Sequence, residues 1–222
     1  DVKVTSVLNC SATATDADGD SPTVSYVWTN GSATIGTSST LILTALKAST
    51  GDTITCTATA TDADSGTDSG TATVTVTNST PVLLSVALTP TTATESSTLT
   101  CTPETALDAD GDLVTYAYAW NISGIASTES TSTLSGSYFS RDDTVYCVVT
   151  PSDSSTSGSA VTSNTVTISN TAPSVSSVFI DPIPALDNDT LTCSYVFSDV
   201  DSDSDSSTIE WTVGTSTIGT GT

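Results

Sequence analysis

Aspartates recur at alternating positions in three places: Asp16, Asp18 and Asp20; Asp108, Asp110 and Asp112; and Asp199, Asp201, Asp203 and Asp205. Carboxylates so spaced repel one another unless a cation sits among them, and hard oxygen donors suit Ca²⁺. The clusters are therefore read as candidate calcium ligands, against the plainer reading of solvated turns built from ordinary turn residues. A second acidic group, Asp62, Asp64 and Asp68, has only Asp153 as its later counterpart, and Asp62 and Asp64 are read as further candidate calcium ligands beside the first cluster. Paired carboxylates are also what glycoside hydrolysis requires. Here the acids lie among Ser and Gly, and repetition of one cluster argues against a single catalytic centre. With no histidine in the chain and no serine-nucleophile arrangement, an enzyme is not expected.

The other reactive residues are five cysteines, Cys10, Cys56, Cys101, Cys147 and Cys193. No CxxC pair and no histidine is present to complete a zinc site, so structural disulfides are expected. Closing a 46-residue loop, the separation of Cys10 from Cys56 and of Cys101 from Cys147, stabilises a domain by roughly 3 to 4 kcal/mol. That matters where the core residues are mostly small Val, Ala, Leu and Thr. Disulfides place the chain in an oxidising compartment, the cell exterior or the periplasm. Cys193 is read as half of a bridge whose partner lies about 46 residues downstream in a longer protein.

These residues are positioned by a repeat. Cys10, Trp28 and Cys56 match Cys101, Trp120 and Cys147, and Cys193 and Trp211 begin the pattern a third time. The period is 91 or 92 residues: 91 from Cys10 to Cys101, 92 from Cys101 to Cys193 and 92 from Trp28 to Trp120. The expected organisation is a first repeat over residues 1–80 lacking its first strand, a complete second repeat over 81–172, and the N-terminal half of a third over 173–222. Such a half-unit has too little partner surface to fold alone, so the chain is read as a window of a longer protein.

Period-two alternation dominates the repeat. From Thr53 to Thr61, Ile54, Cys56, Ala58 and Ala60 share one face and threonines the other, the pattern of a half-buried strand. Gly70 to Asn78 repeats it with Ala72, Val74 and Val76 inward, and Val114, Tyr116, Tyr118 and Trp120 form a further row. Turn clusters between such runs predict about seven strands per unit in two antiparallel sheets. The fold class is all-β, antiparallel β-sandwich repeats of about 91 residues.

With Thr15 to Asp20 preceding the Tyr26–Trp28 row, and linkers Asn78 to Pro81 and Asn170 to Pro173, the chain resembles the tandem Ig-like, PKD-like and cadherin-like repeats of giant bacterial and archaeal surface proteins. The resemblance to an immunoglobulin fold implies bridges Cys10–Cys56 and Cys101–Cys147, with Trp28 and Trp120 packed against them. It also places the two acidic groups of the first repeat in loops at one pole. The tyrosine corner is absent, Ile54 and Val145 standing where antibody-type domains carry Tyr.

The net charge of −22, from 25 acidic and 3 basic residues, makes nucleic acid and anionic membranes poor partners, and no membrane insertion is expected. Sequons at Asn30, Asn78, Asn121 and Asn188, and formally at Asn9, are candidate glycosylation sites. The expected function is non-enzymatic: a structural repeat of a long extracellular fibre, stalk or adhesin at the cell surface. The expected partners are neighbouring repeats, other copies in a homo-oligomer or filament, glycans and Ca²⁺. The competing expectation is an Ig-like module that binds carbohydrate or another ligand.

Overall fold

The structure is a computed structural model that describes residues 1–19 and 21–221. It is all-β, with a single 3₁₀ turn at Gly136–Tyr138 and no α-helix among the described residues. No helix is long and apolar enough to cross a membrane. By contact density the chain forms two compact units. One comprises Asp1–Ser85, Pro103–Ala117 and Val149–Val161, and the other Val86–Thr102, Tyr118–Val148 and Thr162–Thr222.

The first repeat has six strands: β1 (Val7–Asn9), β2 (Thr23–Asn30), β3 (Ala33–Gly36), β4 (Thr40–Ile42), β5 (Thr53–Thr61) and β6 (Thr67–Thr75). They form a four-stranded sheet, β3-β2-β5-β6, and a two-stranded one, β1-β4. The alternation in β5 buries Ile54, Cys56 and Ala58. The β2–β5 register sets Trp28 opposite Cys56, and both belong to a core cluster with Val4, Leu41, Leu43, Ala48 and Val76. The Trp28 indole nitrogen donates to the Ser38 carbonyl at 2.8 Å, so the ring enters the core with its one polar atom satisfied.

The second repeat comprises β7 (Val86–Thr89), β8 (Ala93–Thr94), β9 (Thr98–Pro103), β10 (Thr115–Ile122), β11 (Ile125–Ala126), β12 (Thr133–Ser135), β13 (Thr144–Ser152), β14 (Val161–Thr162) and β15 (Val166–Ser169). One sheet runs β11-β10-β13-β15-β8 with β14 beside β13, and the other runs β12-β9-β7. Trp120 is buried and donates to the Thr131 carbonyl at 2.9 Å, repeating the Trp28 contact. The expected disulfides are present as Cys10–Cys56 and Cys101–Cys147, and Cys193 is free.

Three departures from the sequence reading have physical causes. The sheets are not wholly antiparallel: β15 pairs β8 in parallel, and Val2 bridges Val76 in parallel, because the chain crosses from one sheet's edge to the other's near the start of each repeat. The strand expected over Gly70 to Asn78 runs instead over Thr67–Thr75, with Asn78 drawn into the linker. Ala72, expected inward, is exposed. It lines an open groove of about 490 Å³ with Cys10, Val24, Cys56 and Ala58. In the second repeat β7 extends the sheet beside β9 and buries Val86 and Leu88. A counterpart of β7 is not among the described residues of the first.

The third segment contains β16 (Ser174–Asp181), β17 (Thr192–Ser198), β18 (Ile209–Val213) and β19 (Ser216–Gly221), paired as two hairpin-like sheets, β16-β17 and β18-β19. No residue after Ile168 reaches full burial among the described residues, and Val178, Phe179 and Val213 are exposed. Four short strands do not enclose a core.

Two expectations follow. Replacing Cys101 and Cys147 together by alanine lowers stability to denaturant by about 3 to 4 kcal/mol, because their bridge closes a 46-residue loop. Urea unfolding checks this, and an unchanged midpoint overturns it. The second concerns acid. Asp52 is held below its ordinary pKa by the Ser49 amide and the Asn30 side chain, and Glu129 by the Thr131 amide and hydroxyl, the Tyr138 hydroxyl and the Ser130 amide. A carboxylate whose folded pKa is depressed contributes stability above its unfolded pKa, and that contribution is lost as pH falls through the folded value. Stability should therefore fall below about pH 4, with a smaller fall in Asp52→Asn and Glu129→Gln. Identical acid profiles in all three proteins would remove these contacts from the account.

Candidate functional site

The acidic loops share one scaffold, in which the first aspartate turns its carboxylate onto amides of its own loop. Asp16 Oδ1 accepts from the Asp18 amide at 2.8 Å. Asp108 Oδ1 accepts from the amides of Asp110 at 2.8 Å and Asp112 at 3.3 Å. Asp199 Oδ1 accepts from the Asp203 amide at 3.1 Å. Gly111, at φ +82°, supplies the left-handed step that turns the second loop, a conformation open to glycine without a Cβ clash.

In the second and third loops the carboxylates converge. One oxygen from each of Asp108, Asp110 and Asp112 lies within 4.8 Å of the others, and the same holds for Asp199, Asp201 and Asp203. The first loop differs: Asp16 is half-buried, Asp18 is exposed, and Asp20 lies outside the described residues. Asp62, expected to face that loop, accepts from the amides of Asp64 at 2.9 Å and Gly66 at 2.7 Å, while Asp64 and Asp68 are exposed. Asp205 accepts from the Tyr195 hydroxyl and the Ser207 amide, each at 2.9 Å.

The two converged triads also hold the linkers. Within the first unit, Ser79 donates to Asp110 through its amide at 2.5 Å and its hydroxyl at 3.1 Å. Asn78 Nδ2 donates to Asp153 at 3.0 Å and to Thr156 Oγ1 at 2.9 Å. A Cβ on Gly158 would stand 2.0 Å from the Pro81 carbonyl oxygen, so the turn carrying Asp153 closes directly on the linker. Within the second unit, the Thr171 amide donates to Asp201 at 2.6 Å. Thr171 follows Ser79 by 92 residues and Asp201 follows Asp110 by 91, so one contact recurs in register.

Five buried side-chain oxygens among the described residues have no hydrogen-bond partner, and all five belong to these junctions. They are Asn78 Oδ1 and Asp108 Oδ2 at the first, and Thr171 Oγ1, Asp199 Oδ2 and Asp201 Oδ1 at the second. A buried acceptor without a partner costs about 1–3 kcal/mol, and an oxygen-coordinated cation would satisfy such acceptors. The electrostatics agree. Asp112 is pushed above its ordinary pKa by desolvation and by repulsion from Asp108, Asp110 and Asp153. Asp153 is lowered to about 2, chiefly by Asn78 and the Thr156 amide. At the second junction Glu95 is pushed above its ordinary pKa by the neighbouring Asp201 carboxyl, and Asp201 is held below its own.

The sequence reading took Asn78 only as a sequon and a linker residue, and missed Ser79, Thr171, Glu95 and Arg141 as site residues. A signal for the linker residues was present in the recurrence of Asn78 to Pro81 as Asn170 to Pro173. Of the sequon asparagines, Asn30 donates through Nδ2 to the Lys47 carbonyl and to Asp52, and Asn121 accepts from the Gly124 amide. Asn188 is exposed.

No family model and no curated protein matches the chain. Among solved structures it is similar to the fibronectin(III)-like modules of Clostridium thermocellum CbhA, at 15% identity over 76% of this chain and 88% of that one, with a TM-score of 0.28. The β-sandwich itself is read from the strand pairings and the buried Cys–Trp–Cys core.

Asp110→Asn, which weakens the acceptor for Ser79, should speed proteolysis within residues 78–81 several-fold in EDTA relative to the unaltered chain, whereas Asp64→Asn should not. Equal cleavage rates in the two variants would show that Asp110 does not restrain the linker.

Proposed function

We propose that the chain is a run of non-enzymatic structural repeats from a long extracellular fibre, stalk or adhesin, with Ca²⁺ stiffening the junctions. The observation that carries this reading is the coincidence of three things in register at both junctions: a carboxylate triad, a linker hydrogen-bonded to it, and buried oxygens without partners. Asp108, Asp110, Asp112 and Asn78 Oδ1 would hold the ion at the first junction, and Asp199, Asp201, Asp203 and Thr171 at the second. Bound Ca²⁺ supplies positive charge and oxygen coordination, relieving carboxylate repulsion.

Clustered acids that bond a linker serve position rather than proton transfer, which supports a mechanical role. Two disulfides favour an oxidising, extracellular setting. Pro81 and Pro173 in the short linkers limit the freedom of adjoining repeats, and repetition with a fixed period suits a molecule that spans distance. Glycans fit best at Asn188, whose side chain is exposed. The ligand-binding alternative draws less support, because Trp28 and Trp120 are core residues with their indole nitrogens bonded to backbone. Saturable binding on a glycan array would favour it.

Calcium should raise the melting temperature of the chain above its values in EDTA and in magnesium. At free calcium a hundredfold above the dissociation constant the gain is about 2.7 kcal/mol. Indistinguishable unfolding in calcium, magnesium and EDTA would overturn the calcium part of the reading.

A further inference from the structure

The two junctions follow one plan but differ in charge. At the second, Arg141 Nη1 lies 2.5 Å from Asp203 Oδ2 and 2.7 Å from Asn170 Oδ1. Arg141 is always charged, and its planar fork suits two acceptors at once. Asp203 corresponds to Asp112 at a spacing of 91, and Asn170 to Asn78 at 92. The guanidinium thus bonds the oxygen whose first-junction counterpart, Asn78 Oδ1, is buried without a partner. The residue 91 before Arg141 is Thr50, which is exposed and uncharged. Lys3, the first junction's nearby cation, bonds the Asn78 backbone carbonyl and not the triad.

The two junctions therefore report on one another. A protein cation seated against the second triad shows that this arrangement of Asp and linker Asn draws positive charge. The same arrangement at the first junction has its acceptors in place and no side-chain cation on them. Glu95, whose carboxylate accepts from the Arg141 amide at 2.7 Å, adds a further acid beside Asp201 at the second junction. Val4 stands at the corresponding position, 91 residues earlier, in the first.

We infer that Arg141 acts as a built-in substitute cation, so that the first junction is the high-affinity divalent-cation site and the second is weakened by a guanidinium competing for Asp203 and Asn170. Asp199 Oδ2, Asp201 Oδ1 and Thr171 Oγ1 still lack partners there, so the second site is weakened and not abolished. The consequence is a graded chain, in which one junction stiffens with calcium and the next is already held by an internal ion pair. This inference rests on the calcium reading above.

Calorimetric titration of the 222-residue chain with Ca²⁺ tests both separately. Two sites are expected, differing by about tenfold or more, the scale on which groups neighbouring a metal site alter its affinity. Arg141→Thr should tighten the weaker site toward the stronger, Arg141→Lys should largely preserve the difference, and Thr50→Arg should weaken the stronger site. Asp108→Asn identifies the stronger site by removing it, and circular dichroism confirms that each variant is folded. Two equal sites in the unaltered chain, or a weaker site indifferent to Arg141→Thr, would overturn the role of Arg141 while leaving calcium binding intact. No calcium uptake by the unaltered chain or by Arg141→Thr would sink the calcium reading itself, and this inference with it.

Discussion

The bridge between the two sheets is the constraint on which the rest of this structure depends. Most side chains that close the core are small, and a sandwich of Val, Ala and Leu removes less apolar surface from water than one rich in aromatics. Cys56 leaves β5 to meet Cys10 at the end of β1, and Cys147 leaves β13 to meet Cys101 on β9, so each bond crosses from one sheet to the other. The large ring of Trp28 packs in the same core cluster as Cys56, and the strand register fixes it opposite that cysteine; Trp120 is buried in the second repeat. With the second repeat's sheets pinned there, β9 and β10 carry between them the loop on which Asp108, Asp110 and Asp112 converge.

Strand positions were legible because a half-buried strand repeats every two residues, and β5 lies where its threonine alternation places it. β6 was displaced because Val76 and Asn78 answer to different demands. Val76 fills the core, while Asn78 is claimed by Asp153 and Thr156, more than seventy residues away. Ala72 reads as inward by pattern and is exposed by circumstance, since alternation tells which face a residue occupies and not whether that face is covered.

The site was legible in part. Alternating aspartates announce themselves in sequence, and among the described residues the structure gathers the groups at Asp108 and at Asp199. Their relation to the linker did not announce itself, because a lone Asn or Ser beside a proline looks like any other turn residue. Arg141 was hidden for a similar reason: it stands 62 residues from Asp203, and its meaning appears only when the two junctions are superimposed by their 91- and 92-residue offsets. Internal repetition thus acts as its own control, in which the same scaffold is seen with and without a side-chain cation.

Asn78 belongs at once to a glycosylation sequon, Asn-Ser-Thr, and to the linker clamp. Its amide nitrogen has two hydrogens, and they are shared among Asp153, Thr156 and the Ser79 carbonyl. An N-linked sugar would replace one of those hydrogens and set a bulky group where the turn at Gly158 already closes on Pro81. A sugar at this residue would therefore displace the clamp, and the folded clamp would in turn shield the Asn78 amide. A chain modified first would keep its first junction permanently unlatched, turning a stiff joint into a hinge without any change in sequence.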